Sequence, residues 1–245
     1  MHLKAILVLL AAVLFAIMPL FATEFEGFKV DAFPVPQDTA PIQPSKYVFS
    51  IWALIYLWLV AGMAFGLLKR VDYPRWDKMR MSLLVSLAIG ITWLPAAQIS
   101  PIWATLLIWL MLLSAIKALF YAPKIDKVWA RAPVSVYTGW LTVASSVALG
   151  LVLGGYGIMT PHNAAIVVLF VALGFAATVQ ITLGRAPLYG TTVAWGLMGI
   201  VVANLNAEAP DLAVAGLAGV GILFMSGLAM WAGYRHTFSP DSNAI

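Results

Sequence analysis

The chain has no cysteine, which excludes disulfides, thiol nucleophiles and cysteine-ligated metal centres. Charge is also scarce. Charged side chains make up 10% of the 245 residues and hydrophobic ones 62%, with a mean hydropathy of +0.95, whereas a soluble domain carries about a quarter charged residues. Most of the surface must therefore face lipid. The three histidines, His2, His162 and His236, fall outside the apolar runs, which argues against a histidine-ligated haem or chlorophyll deep in the chain; His162, after Pro161, reads as a solvated loop residue. No carboxylate pair, Ser/His/Asp set, phosphate-binding glycine loop or HExxH pattern occurs. The chain is expected to have no catalytic residues and no metal site.

What is present is a series of apolar runs, at 5–23, 46–68, 80–97, 101–121, 134–154, 163–184, 188–204 and 212–233. Each is near the roughly 20 residues a helix needs to cross a bilayer core. Runs such as 5–21 and 164–177 are apolar on all faces, unlike the alternating strands of a membrane barrel. The predicted fold is an all-α integral membrane protein, a polytopic bundle of about eight transmembrane helices.

Charge sets the orientation. With eight spans, twelve of the fourteen Lys and Arg residues lie on one side: Lys4, Lys69, Arg70, Arg75, Lys78, Arg80, Lys117, Lys124, Lys127, Arg131, Arg185 and Arg235. The other side has Lys29 and Lys46 beside Glu24, Glu26, Asp31, Asp38, Glu208 and Asp211. The positive-inside rule puts the basic side, with both termini, in the cytoplasm. Topology thus explains the net charge of +4, and nucleic acid is not an expected partner. Lys117, the one charged residue placed within a span, is close enough to its end to snorkel. The first run also resembles a signal peptide, but it is longer than a usual h-region, and cleavage after Ala22 would put Leu20 where a small residue is wanted.

Of the ten tryptophans, Trp76, Trp103, Trp129 and Trp231 lie near span ends, where interfacial anchoring is expected. Trp52, Trp58, Trp93, Trp109, Trp140 and Trp195 lie deeper, and a buried indole N–H needs an acceptor. Phe49, Trp52 and Tyr56 share one face of span two through i, i+3, i+7 spacing, and Tyr137, Trp140 and Ala144 repeat that spacing in span five. Such faces suit either helix packing or a flat-walled slot for a planar apolar ligand. Gly62 with Gly66, and Gly150 with Gly154, are small-xxx-small pairs that serve packing within the chain or a dimer.

The stretch PSKYVFSIWALIYLWLVAGMA, with Pro44, Val48, Phe49, Trp52, Tyr56, Gly62 and Ala64, and the later YTGWLTVA, with Tyr137, Trp140 and Ala144, resemble the second- and fifth-helix signatures of the tryptophan-rich sensory protein and translocator protein family (TspO/MBR). Trp93 takes the place of that family's third-helix tryptophan. Two family asparagines are replaced, by Gly90 and Ala148, and Thr92, Ser145 and Ser146 are expected to supply part of the lost hydrogen bonding. The resemblance implies a five-helix core over 1–154. Beyond it, RAPLYGTTVAWGLMGIVVANL resembles the later part of long bacterial members, so 155–245 is expected to add three helices to the same bundle.

The resemblance further implies a binding or sensory protein for porphyrin, haem or a sterol-like molecule. Phe49, Trp52, Tyr56, Trp93, Tyr137 and Trp140 would line the site, and the proline-rich loop 24–45 would form its lid. The implied setting is a bacterial inner membrane, with a homodimer as an expected assembly and photo-oxidative porphyrin turnover as the one catalytic alternative. A secondary transporter of a small apolar molecule and a structural or accessory subunit of a membrane complex are the other readings; no convincing repeat supports the former.

Overall fold

The computed structural model describes residues 1–21, 28–29, 32–38 and 40–238, the last three in backbone only. Glu24, Glu26 and Asp31, the site after Ala22 and the His236 side chain lie outside the described residues. The described chain is all-helical, with eight helices long and apolar enough to cross a membrane: α1 (His2–Ile17), α2 (Ile51–Lys69), α3 (Pro74–Ile99), α4 (Pro101–Tyr121), α5 (Ala132–Gly155), α6 (Pro161–Leu183), α7 (Pro187–Leu205) and α8 (Leu212–Phe238). It is a multi-pass membrane protein.

The breaks have local causes. Proline opens α3, α4, α6 and α7, where its missing N–H leaves no helical bond unmade. The hydroxyls of Ser100 and Thr160 accept from the backbone N–H of Trp103 and Asn163, and the carboxylate of Asp211 accepts from that of Val214, capping the starts of α4, α6 and α8. Gly184 ends α6 in the left-handed conformation. In the tight α6–α7 link, Ala186 also has positive φ, 60°; Gln180 braces the turn, donating to the Arg185 carbonyl and accepting from Gly190 N–H.

Helix α5 is the axis. In its most apolar 18-residue window 72% of the residues are buried, against 28% for α1 and α2. It packs on α2 and α4 on one side and on α6 and α7 on the other, while α3 lies along α4 and α7 along α8. A helix buried on every face is expected to be apolar all round, yet α5 carries Ser135, Thr138, Thr142, Ser145 and Ser146. Each hydroxyl donates to the carbonyl four residues earlier, so the polar atoms are satisfied within the helix.

Three sequence expectations change. Because Pro74 starts α3 early, Trp76 and Arg80 lie in its first turns rather than in a loop. Trp76 is fully buried and donates to Asp126 at 2.8 Å, so it is not an interfacial anchor. Arg80, 1% exposed, donates to the carbonyls of Gly66, Arg70 and Val71, closing the end of α2. Third, Ser145 and Ser146 bond within α5, and Thr92, exposed to the outside of the bundle, bonds the Ile89 carbonyl of its own helix; none replaces an interhelical amide. The glycine pairs serve the interior: Gly62 faces Trp129 and Pro133, Gly66 the Trp76 ring, Gly150 Ile42, and Gly154 Gln37 and Pro161.

At the acidic end, His162 Nδ1 lies 2.6 Å from Asp211 Oδ2, joining the starts of α6 and α8. Burial pushes the Asp211 carboxyl up, but His162 and the Val214 and Ala213 N–H groups outweigh it and hold the group below its ordinary value. A carboxyl depressed in the fold contributes stability above its unfolded value, about 3.9, and that contribution is lost as pH falls through the folded value. Between pH 6 and about pH 3, the melting temperature of Asp211→Asn should therefore fall less than that of wild type; parallel curves would show that the contact contributes nothing.

Candidate ligand-binding site

The aromatic face formed by α2 with the 3-10 turn Lys46–Ser50 before it, which carries Phe49, meets that of α5. Trp140 makes edge contacts with Phe49 and Trp52 at centroid distances of 5.7 and 6.0 Å, and Trp52 stacks on Tyr56 at 5.3 Å and 14°. Beside them is an apolar cavity of about 540 Å³ including its open mouth, walled by Phe49, Trp52, Trp93 and Trp140 together with Ala144 and Ala148 of α5. A second space, about 700 Å³ measured likewise, adjoins it through Phe49, Trp52 and Trp93 and is lined further by Phe15 and Tyr56.

Five of the expected residues thus line this paired space, and Tyr137 does not. Its hydroxyl is fully buried and hydrogen-bonded to Ser86 at 2.9 Å, and Ser86 donates in turn to the Met111 carbonyl. Phe15 lies edge-on to Trp52, Tyr56 and Tyr137 and occupies the ground where a side chain at Gly90 would stand. The two replaced asparagines therefore have different fates: Gly90 makes room for Phe15, and Ala148 leaves the cavity wall apolar.

Hydrogen bonding separates the tryptophans. Trp93 Nε1 donates to the Ala104 carbonyl at 3.0 Å, and Trp195 Nε1 to that of Val48 at 3.2 Å. Trp140 is 1% exposed, lines the cavity, and its Nε1–H has no acceptor among the described residues. A buried donor left unpaired costs about 1–3 kcal/mol. Among the described residues, no histidine or cysteine lines either space.

The loop before α2 forms part of the wall. Phe28, Gln43 and Pro44 line the cavity, residues the helical spacing gave no means of finding. Phe33 is buried and contacts Phe28 and Tyr156, and Val35 N–H donates to Gly155. The remaining ties run to α7: Asn204 Nδ2 donates to the Pro41 carbonyl at 2.7 Å and Ser45 N–H to that of Gly199 at 3.0 Å. A side chain at Gly199 would collide with Val48 and Pro44, so the close approach of loop and helix requires glycine there.

The sequence pattern of the family described as TSPO-like protein matches residues 3–230, reaching into all eight helices. No curated protein and no solved structure matches the chain.

Proposed function

Because the chain belongs to the TSPO-like protein family, we propose that it is a membrane-embedded binding or sensory protein for a tetrapyrrole or a similar planar, largely apolar ligand. The Trp140 N–H, without an acceptor among the described residues, beside a largely apolar, aromatic-walled cavity carries this reading. The rings of Phe49, Trp52, Trp93 and Trp140 take the flat body of the ligand out of water or lipid, and the Trp140 indole donates to an acceptor on its polar edge. Tyr56 extends the wall into the adjoining space. The residues bind and orient, and no group among them is assigned a bond-making role. In this reading the basic end faces the cytoplasm of a bacterial inner membrane, with both termini there.

The test is a titration of the detergent-solubilised protein with protoporphyrin IX and haem, followed by tryptophan quenching. Saturable binding is expected, weakened about fivefold in Trp140→Phe through loss of one hydrogen bond and unchanged in Trp231→Phe, whose ring sits under Arg235 at the basic end. Equal loss in the two variants would refute the site, and an absence of saturable binding would refute the ligand class.

A further inference from the structure

The basic end holds a second opening, between α2, the start of α5, the start of α7 and the end of α8, which shares no residue with the aromatic site. It encloses about 830 Å³ including its mouth, and its lining mixes apolar and cationic side chains. Trp58 and Leu188 are among the apolar ones. Lys127 and Arg131, in the single wide turn Lys127–Arg131 that leads into α5, are the cationic ones.

Arg131 is, with Arg80, a buried cation of this end, and Arg80 is held by the carbonyls at the end of α2. Lys69, Lys78 and Lys124 are exposed, as positive residues beside a membrane usually are. Arg131 is 3% exposed and enters the membrane-spanning stretch, with Nη2 donating to the Pro123 carbonyl at 3.3 Å. Arg185 is anchored to the Phe120 carbonyl at 2.7 Å. Burial, and then the nearby Arg75, lower the proton affinity of Arg185. The buried carboxylate of Asp126 faces Arg70 and Trp76 instead. Like charges gathered at a partly buried place are unfavourable alone and favourable around an anion.

We infer that this opening binds the phosphate of an anionic phospholipid from the leaflet at the basic end, with Lys127 and Arg131 on the headgroup and an acyl chain along Trp58 and Leu188. Both a lipid headgroup and free phosphate offer the anion. The apolar part of the lining selects the lipid, because a hydrated inorganic ion gains nothing from an indole and a leucine.

The experiment is native mass spectrometry of the full chain in a neutral detergent, titrated with phosphatidylglycerol and, separately, phosphatidylcholine. Phosphatidylglycerol should bind more tightly, Lys127→Gln should weaken it about fivefold, as expected for one cation near a lipid surface, and Lys127→Gln with Arg131→Gln should weaken it further. Lys78→Gln, on the same end but outside the opening, should leave it unchanged, and excess inorganic phosphate should not displace the lipid. Should the Arg131 variant fail to fold, Lys127→Gln alone decides, since that side chain is exposed. Equal affinity for the two lipids, equal loss in Lys78→Gln, or displacement by inorganic phosphate would each overturn the assignment. Porphyrin binding does not enter the readout, so the two sites stand or fall separately.

Discussion

Asp126→Ala is expected to lower stability by about 1–3 kcal/mol, from the Trp76 donor alone. Asp126 is a meeting point of three helix ends: one carboxylate oxygen accepts from Trp76 Nε1 at 2.8 Å and from Arg70 Nε at 2.9 Å, and the other accepts from Arg70 Nη2 at 3.2 Å. The Trp76 ring fills the space left by Gly66 and lies beneath Arg80, so it cannot turn outward to find water. Alanine leaves its N–H buried without an acceptor and frees the link between α4 and α5 from the α2–α3 turn. Asp126→Asn keeps an acceptor oxygen and should lose less than half as much. Unfolding in detergent, followed by near-UV circular dichroism, distinguishes these outcomes; if Asp126→Ala costs no more than a change at exposed Asp72, the junction has no energetic weight.

Phe15→Ala should be at least as damaging, at about 3 kcal/mol. Phenylalanine-to-alanine changes in soluble cores cost about 3–5 kcal/mol, and the lower end applies because lipid removes much of the hydrophobic contribution and leaves packing. The ring is 4% exposed and touches three other aromatic rings. Its loss should also enlarge the space beside Trp52 and Tyr56, so tryptophan emission should shift as stability falls. Leu14→Ala, on the exposed side of α1, supplies the comparison and should cost little. A similar cost at both positions would show that α1 is only loosely attached. The Lys4–Asp77 contact at 2.7 Å and the buried Val8, Ala11 and Ala12 instead make this helix a wall of the bundle.

The helices were legible because length and hydropathy suffice to identify a span, and because prolines sit at their starts. The aromatic face of α2 was legible for a similar reason: 49, 52 and 56 are fixed neighbours on any helix. What periodicity cannot supply is the partner across the gap. Tyr137 shares a face with Trp140, yet Ser86 on α3 draws its hydroxyl into the packing and takes it from the cavity. Arg80 and Arg131 read as loop charges because a cation's burial depends on carbonyls brought to it by other segments, Gly66 and Val71 for one and Pro123 for the other. Phe28, Gln43 and Pro44 enter the site from the loop 24–45 that the resemblance cast as its lid, and helical spacing carries no sign of them. Ala148 did carry a signal, since an apolar residue in place of an amide matches the dry wall it forms.

The serine and threonine hydroxyls of α5, each with an acceptor on the preceding turn, bear on the order in which the protein is made. During synthesis α5 enters the bilayer before α6, α7 and α8 exist, and hydrocarbon tolerates no unbonded polar group. A segment whose serines and threonines needed those later helices as partners would have to wait outside or enter at a penalty. Here Ser135, Thr138, Thr142, Ser145 and Ser146 need none of them. The most deeply enclosed helix of the finished bundle is therefore also one that can stand in lipid with half its neighbours still unmade.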